Sequence, residues 1–463
     1  MGIDGLTDDF LESRAIAACF AAPAMLRHML EFEAALAQAE ADLGIIPAAA
    51  AVHIAACAAA DDFDIAAIRR ETAASGSAAI PLVALLTTRV AARDTQAAAY
   101  VHWGSTSQDV MDSAMMLACR AAATLLATRL AAIGESLAAL IVDHRHTPMV
   151  ARTLAQHAGP TSFGLKLAAW AQSLCAGAER LRETEARLPL QFGGASGTLA
   201  AFGAQGLAVA AAVGDRLGLR AAPPWHTERS SVRELAAALA ELGAGVGKIA
   251  TDIVLLAQNE IGELRERSAP GRGGSSAMPH KRNPVAAIAA VAAARRVPGL
   301  LATVYGAFDH WNERAAGAWH AEQRALAELC TAVGASLEKL DESLVGLEVD
   351  VAAMQRNLAS TRGLGMADAV AMALTPALGR PHAQALVEQA CASATERELG
   401  FDEVLAGIPE VTAVLGPAAL AQALDPHRPS GIADGLIDLA LARLEHSLRG
   451  RPAAIDWRTS ENG

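Results

Sequence analysis

Eight apolar residues, Val232, Leu235, Leu239, Leu242, Val246, Ile249, Ile253 and Leu256, alternate spacings of three and four without a miss. That is a heptad seam over three full heptads, and only a helix puts such residues on one face. At 1.5 Å per residue the seam spans about 37 Å. Gly243, Gly245 and Gly247 sit among these residues. Each would weaken an isolated helix by roughly 1 kcal/mol relative to alanine, so the helix is expected to be packed closely on several sides. A long seam with close-approach glycines suits a bundle between subunits; the alternative is a bundle closed within one chain.

The rest of the composition agrees with helices. Alanine and leucine dominate, aromatics are 4% and β-branched runs are few. The net charge of -12 argues against nonspecific binding to nucleic acid or an anionic membrane. No uninterrupted apolar run of about 18 residues reads as a membrane span. The start, Met1 to Phe10, lacks the basic-then-apolar pattern of a secretory signal. Six scattered cysteines read as small core residues in a reducing, cytoplasmic setting.

Polar insertions interrupt the helical pattern at four places. In Val101-His-Trp-Gly-Ser-Thr-Ser-Gln-Asp109, hydroxyls surround Gly104 just before an apolar helix. Asp109 or Ser107 could cap that helix, or Thr106 and Ser107 could seat a carboxylate at its start. His102 could serve the same anion or be a satisfied histidine at a loop edge. In the segment 151–164, Arg152, Gln156 and His157 fall within one and a half helical turns, ahead of Gly159-Pro160. Leu188 to Thr198 is a glycine-rich turn without the strand–helix context of a dinucleotide fingerprint. Phe308 to Glu322 brings His310, Arg314 and His320 into an otherwise apolar stretch.

The most chemical stretch runs from Ser268 to Pro284. Gly271, Gly273 and Gly274 free the backbone, and Ser275 and Ser276 place hydroxyls in the turn. Arg272, His280, Lys281 and Arg282 make it cationic inside an acidic chain. Asn283-Pro284 then reads as a helix start with asparagine at the N-cap, an end that favours anions. A merely flexible basic loop is the plain alternative.

Gly-Ser-Ser-Ala-Met-Pro-His-Lys-Arg-Asn-Pro284 resembles the signature loop of the fumarase/aspartase superfamily. The segments 102–112 and 151–164 resemble its other two regions, in the same order. Within it, Gln191-Phe-Gly-Gly-Ala-Ser-Gly, Pro224-Trp-His-Thr and Gly317-Ala-Trp-His-Ala-Glu322 are most similar to the bacterial cycloisomerase branch. The resemblance implies an all-α fold with three helical domains and a long central helix bundle. On this chain those divide as 1–100, 101–347 and 348–463. It implies a homotetramer with active sites shared between subunits, a small polycarboxylate substrate, and no metal or organic cofactor.

The activity it implies is lactonisation of 3-carboxy-cis,cis-muconate in aromatic catabolism, by acid/base chemistry alpha to a carboxylate. Ser275 matches the general acid/base, and His157 is a further proton carrier. His102, Thr106, Ser107, Gln156, Lys281, Asn283 and Arg314 would hold the carboxylates. Two stretches depart from the pattern. Leu154 replaces a histidine found in many members and a tryptophan common in the cycloisomerases. The run His310-Trp-Asn-Glu-Arg-Ala315 differs from their usual Gln-Glu-His-Glu-Arg-Ser. The alternative activity is a fumarate-releasing lyase acting on an N- or nitro-substituted succinate. A catalytically silent helical oligomer is the other class, against which the intact Ser275, Lys281 and Asn283 weigh.

Overall fold

The alanine- and leucine-rich stretches form helices, as their propensity favours. The structure, a computed structural model, describes residues 7–59, 63–267, 273–274, 278, 280–426 and 432–449. Among them, six long helices stand out: α1 (Ala22–Asp42), α2 (Ser107–Asp143), α3 (Phe163–Glu185), α4 (Ser230–Leu256), α5 (Val285–Gly306) and α6 (Ala318–Leu344). α2 has 37 residues and extends about 55 Å. The fold is all-α, with two small two-stranded sheets among the described residues.

The heptad seam lies on α4, but all eight of its residues are buried within this one chain, none more than 4% exposed. That overturns its reading as a surface between subunits: the seam is intramolecular core. The glycines do what close packing needs. A Cβ at Gly243 would lie 3.0 Å from Val297 Cγ2 on α5, and one at Gly247 would lie 3.2 Å from Ala294 Cβ. From α3, Gly177 meets the Leu242 backbone, where a Cβ would come within 2.9 Å of Cα.

A second correction concerns hydropathy. Three helical stretches, Arg14–Asp42, Ser107–Asp143 and Val285–Gly306, are long and apolar enough to cross a membrane by length and composition. Alanine raises their mean hydropathy, and the apolar 18-residue windows within them hold at most two charged residues each.

The third correction is the segment 151–164. It is not helical but a hairpin of β1 (Pro148–Thr153) and β2 (Gln156–Ser162), with Arg152 opposite His157. The turn residues Leu154 and Ala155 have φ of 51° and 62°. Two left-handed residues in a row make the twist of a two-residue hairpin, a place usually given to Asn-Gly. β3 (Leu264–Arg265) pairs with β4 (Glu348–Val349).

The chain packs as two compact units. One comprises Met1–Leu130, Ala176–Gly247 and Ala289–Lys339; the other comprises Ala131–Cys175, Lys248–Ile288 and Leu340–Gly463. In the second unit a separate small core gathers Val370, Leu374, Leu386, Phe401, Leu405 and Val411 from short C-terminal helices.

Candidate active site

In the first unit the start of α2 is organised by two acids, Asp109 and Asp112, three residues apart and both buried. Asp109 Oδ1 accepts from Gln191 Nε2 (2.8 Å) and Gly193 N (3.0 Å), and Oδ2 accepts from Gly194 N (2.9 Å) and Thr106 N (3.1 Å). One carboxylate thus fixes the glycine-rich turn to the loop before α2. Gly194 has φ of 70°, and a Cβ there would strike the Gly104 carbonyl at 2.8 Å. Only glycine allows that approach.

Asp112 anchors a deeper network. Arg229 donates from Nη1 and Nη2 to both Asp112 oxygens at 2.6 and 3.1 Å, and from Nη2 and Nε to Glu322. Trp319 Nε1 donates to Asp112 Oδ1 (2.9 Å) and Gln108 Nε2 to Oδ2 (3.0 Å). Burial pushes the Glu322 carboxyl up, although Arg229 opposes the shift. The His310 ring is buried 3.8 Å from Glu322 and makes no hydrogen bond. Burial and the nearby Arg229 cation push its pKa down.

Against this frame sit the donors. Arg314 Nη2 donates to Thr106 Oγ1 at 2.9 Å and to the Ala195 carbonyl at 3.3 Å. Ser107 opens α2. His102, with φ of 59°, has its Nδ1 2.6 Å from Glu33 Oε1. The structure therefore brings Thr106 and Arg314 into contact, with His102 and Ser107 on the same loop and helix start.

In the second unit, the described part of the signature loop lines a cavity of about 700 Å³. His280, Lys281, Arg282 and Asn283 contribute from the loop, with Arg265, Gln258 and Asn259. Lys281 and Arg282 are exposed. Asn283 closes the loop base, its backbone N donating to Gly273 O at 2.9 Å. It is not the cap of α5. Glu266 takes that place, accepting from Ala286 N (3.1 Å) and Ala287 N (2.8 Å), and is itself held by Ser343 Oγ (2.6 Å). Those two amide groups are thus occupied by a protein carboxylate. Ser275, with Gly271, Arg272 and Ser276, lies outside the described residues.

Gln156 and His157 are exposed at the start of β2, beside the hairpin tip. Arg152, grouped with them by sequence, is engaged elsewhere: it makes a bidentate pair with Glu263 at 2.7 and 3.0 Å, and Asn357 Nδ2 also donates to that carboxylate. Leu154 is 99% exposed at the tip.

A family model described as Lyase matches residues 13–299, and one described as Adenylosuccinate lyase C-terminus matches 363–440. This chain belongs to the fumarase/aspartase lyase superfamily. A relative named 3-carboxy-cis,cis-muconate cycloisomerase, from Bradyrhizobium diazoefficiens, is 46% identical over 94% of this chain and 97% of its own length. A nitrosuccinate lyase from Streptomyces davaonensis is 41% identical over 93% of each chain. The crystal structure of a 3-carboxy-cis,cis-muconate lactonizing enzyme from Pseudomonas putida matches with a TM-score of 0.87 at 39% identity, covering 96% of this chain and 99% of that one.

The strings that resemble this superfamily now have physical roles. Trp225 N donates to Gln191 Oε1, Trp225 Nε1 to the Leu190 carbonyl, and Gln108 Nε2 to the His226 carbonyl. Trp225 holds Gln191 of the glycine-rich turn, Arg229 and Trp319 hold Asp112 in the first turns of α2, and Glu322 holds Arg229. Sequence reasoning missed Asp109, Asp112, Arg229, Glu322 and Glu33 as site-building residues. The visible signal was a pair of acids three apart at the head of an apolar helix.

Proposed function

We propose that this enzyme lactonises 3-carboxy-cis,cis-muconate. The observation that carries the reading is the cavity where Lys281, Arg282 and Arg265 face Glu260 and the helix-bound Glu266, three cations to two acids in an acidic chain, in a protein so similar in length and sequence to named cycloisomerases. A tricarboxylate suits such a surplus of donors. One substrate carboxylate adds across a C=C and forms the ring C–O bond. The π electrons move to the carbon alpha to a second carboxylate, giving a dianionic aci-carboxylate. Preorganised cations and N–H groups lower the cost of that charge. A proton then reaches the carbon from Ser275, whose alkoxide the cationic loop stabilises until solvent reprotonates it. Three carboxylates become two plus a lactone, so each turnover takes up one proton.

Carboxylate-holding roles go to His102, Thr106, Ser107 and Arg314 in the first unit and to Gln156, Lys281 and Asn283 in the second. His157 is the second proton carrier. The working form is a homotetramer with shared sites.

The second reading is a fumarate-releasing lyase acting on an N- or nitro-substituted succinate. The nitrosuccinate lyase relative favours it, as do Leu154 and the altered run 310–315. Ultraviolet absorbance separates the two. Loss of diene absorbance from 3-carboxy-cis,cis-muconate without fumarate supports lactonisation. Fumarate from substituted succinates with an unchanged diene establishes the lyase instead.

A further inference from the structure

His102 is held by an acid that packing alone does not require. Glu33 sits on α1 with its side chain fully buried, and its Oε1 lies 2.6 Å from His102 Nδ1. Its Oε2 has no partner. Two turns further on, Glu40 is buried on the same helix, and neither of its carboxyl oxygens is hydrogen-bonded. Burying two carboxyl groups with so few partners is destabilising. An alanine or leucine at either position would pack at no such cost. His102 is itself in left-handed backbone, a conformation that costs a non-glycine residue about 1 kcal/mol. Its side chain is 17% exposed, and Nε2 has no hydrogen bond to the protein among the described residues.

We propose that Glu33 is a positioning residue that holds His102 as the imidazolium, with Nε2–H left free to donate to a substrate carboxylate. This rests on the reading of His102 as a carboxylate-holding residue. The charged groups that bear on His102 are Glu33 on α1 and Asp109 on α2, with Glu40 behind Glu33. Burial by itself would lower the basicity of the ring, and Glu33, then Asp109, reverse that and raise it. Burial and the Glu33 charge keep Glu40 protonated, its pKa pushed up to about 9. The proton therefore stays on Glu40, and the acid that meets the His102 ring is Glu33.

The test uses the intact protein labelled with [2-13C]histidine, His102 being assigned from a His102→Gln sample. Propane-1,2,3-tricarboxylate serves as the anionic probe. In Glu33→Gln, the His102 titration midpoint should fall by at least about one pH unit, the usual effect of a neighbouring charge. Probe affinity at pH 7 should fall about tenfold, the worth of one charge-assisted bond. Glu33→Asp should recover part of both. Glu40→Gln removes a carboxyl that is already neutral and should change neither, which separates charge from packing. An unmoved midpoint in Glu33→Gln overturns the proposal, as does a midpoint that falls without loss of probe affinity. Neither readout requires turnover. Absence of diene loss in the wild type, with both readouts as expected, would remove the cycloisomerase reading and leave the role of Glu33 standing.

Discussion

Arg314 Nη2 lies 2.9 Å from the Thr106 hydroxyl, joining residues 208 positions apart. The same nitrogen reaches the carbonyl of Ala195 in the glycine-rich turn. Three of the four polar insertions in the sequence therefore meet at one guanidinium. Arg314→Ala should leave the fold intact and lower kcat/KM by about ten- to a hundredfold, the range for one charged hydrogen bond. The loss should appear mainly in KM, since the group binds carboxylate in ground and transition states alike. Steady-state kinetics with circular dichroism checks both parts. Arg314→Lys should recover little, because the shorter side chain ends in one donor nitrogen and loses the planar fork whose remaining N–H groups are left to pair with a carboxylate.

Ser275→Ala should retain fold, assembly and substrate binding yet lose most turnover, because no other hydroxyl stands at its place in the matched signature. The measurement is single-turnover diene absorbance. Near-normal turnover would remove Ser275 from the mechanism.

The Asp112–Arg229–Glu322 network predicts a different failure. Asp112→Ala leaves the Arg229 cation with one carboxylate, strips Trp319 Nε1 of its acceptor and leaves Gln108 Nε2 only the His226 carbonyl. Breaking a buried pair this way costs about 3–5 kcal/mol. Urea unfolding should show that loss, with activity falling only as far as folded protein is lost. A full-stability variant without activity would instead make Asp112 part of the chemistry.

Some of this was legible in the sequence and some was not, for physical reasons. The α4 seam was visible because a heptad is a one-dimensional pattern. Its partner was not, because nothing in a heptad says whether the facing helix belongs to the same chain. The hairpin was invisible because Leu154-Ala155 occupies a turn that usually announces itself by Asn-Gly. Asn283 looked like the cap of α5, whereas Glu266, about twenty residues upstream, holds its amides. Donor residues were found by motif. Of the acids that position them, Asp109 read only as a helix cap, and Glu33 and Asp112 lie in helices where an acid ordinarily reads as a solvated face.

The intramolecular seam makes its own prediction. Leu242 is fully buried, with Gly177 packed on its backbone. Leu242→Ala should destabilise the folded chain by about 2–5 kcal/mol through lost burial and a cavity. Light scattering under native conditions should still report the wild-type assembly. Dissociation to folded monomers, with thermal stability unchanged, would return the seam to the subunit interface.

The pH dependence of stability follows from Glu40. Its carboxyl is pushed up to about 9 by burial and then by the Glu33 charge, against 4.5 unperturbed. The folded state therefore holds a proton that the unfolded chain gives up near pH 4.5. Linkage then makes stability greatest below that value and progressively lower as pH rises toward about 9. The Glu33–His102 pair acts in the same direction, because a raised histidine contributes most when protonated and its contribution fades as pH rises through its raised pKa. Thermal melts from pH 7 to 9, above the range in which the lowered His310 acts in the opposite direction, should show Tm falling in the wild type. In Glu40→Gln the side chain stays neutral at every pH, so the slope should flatten to the part contributed by the other groups. Equal slopes in the two proteins would mean that Glu40 titrates at an ordinary carboxyl value, and that the buried face of α1 is more open to water than its packing indicates.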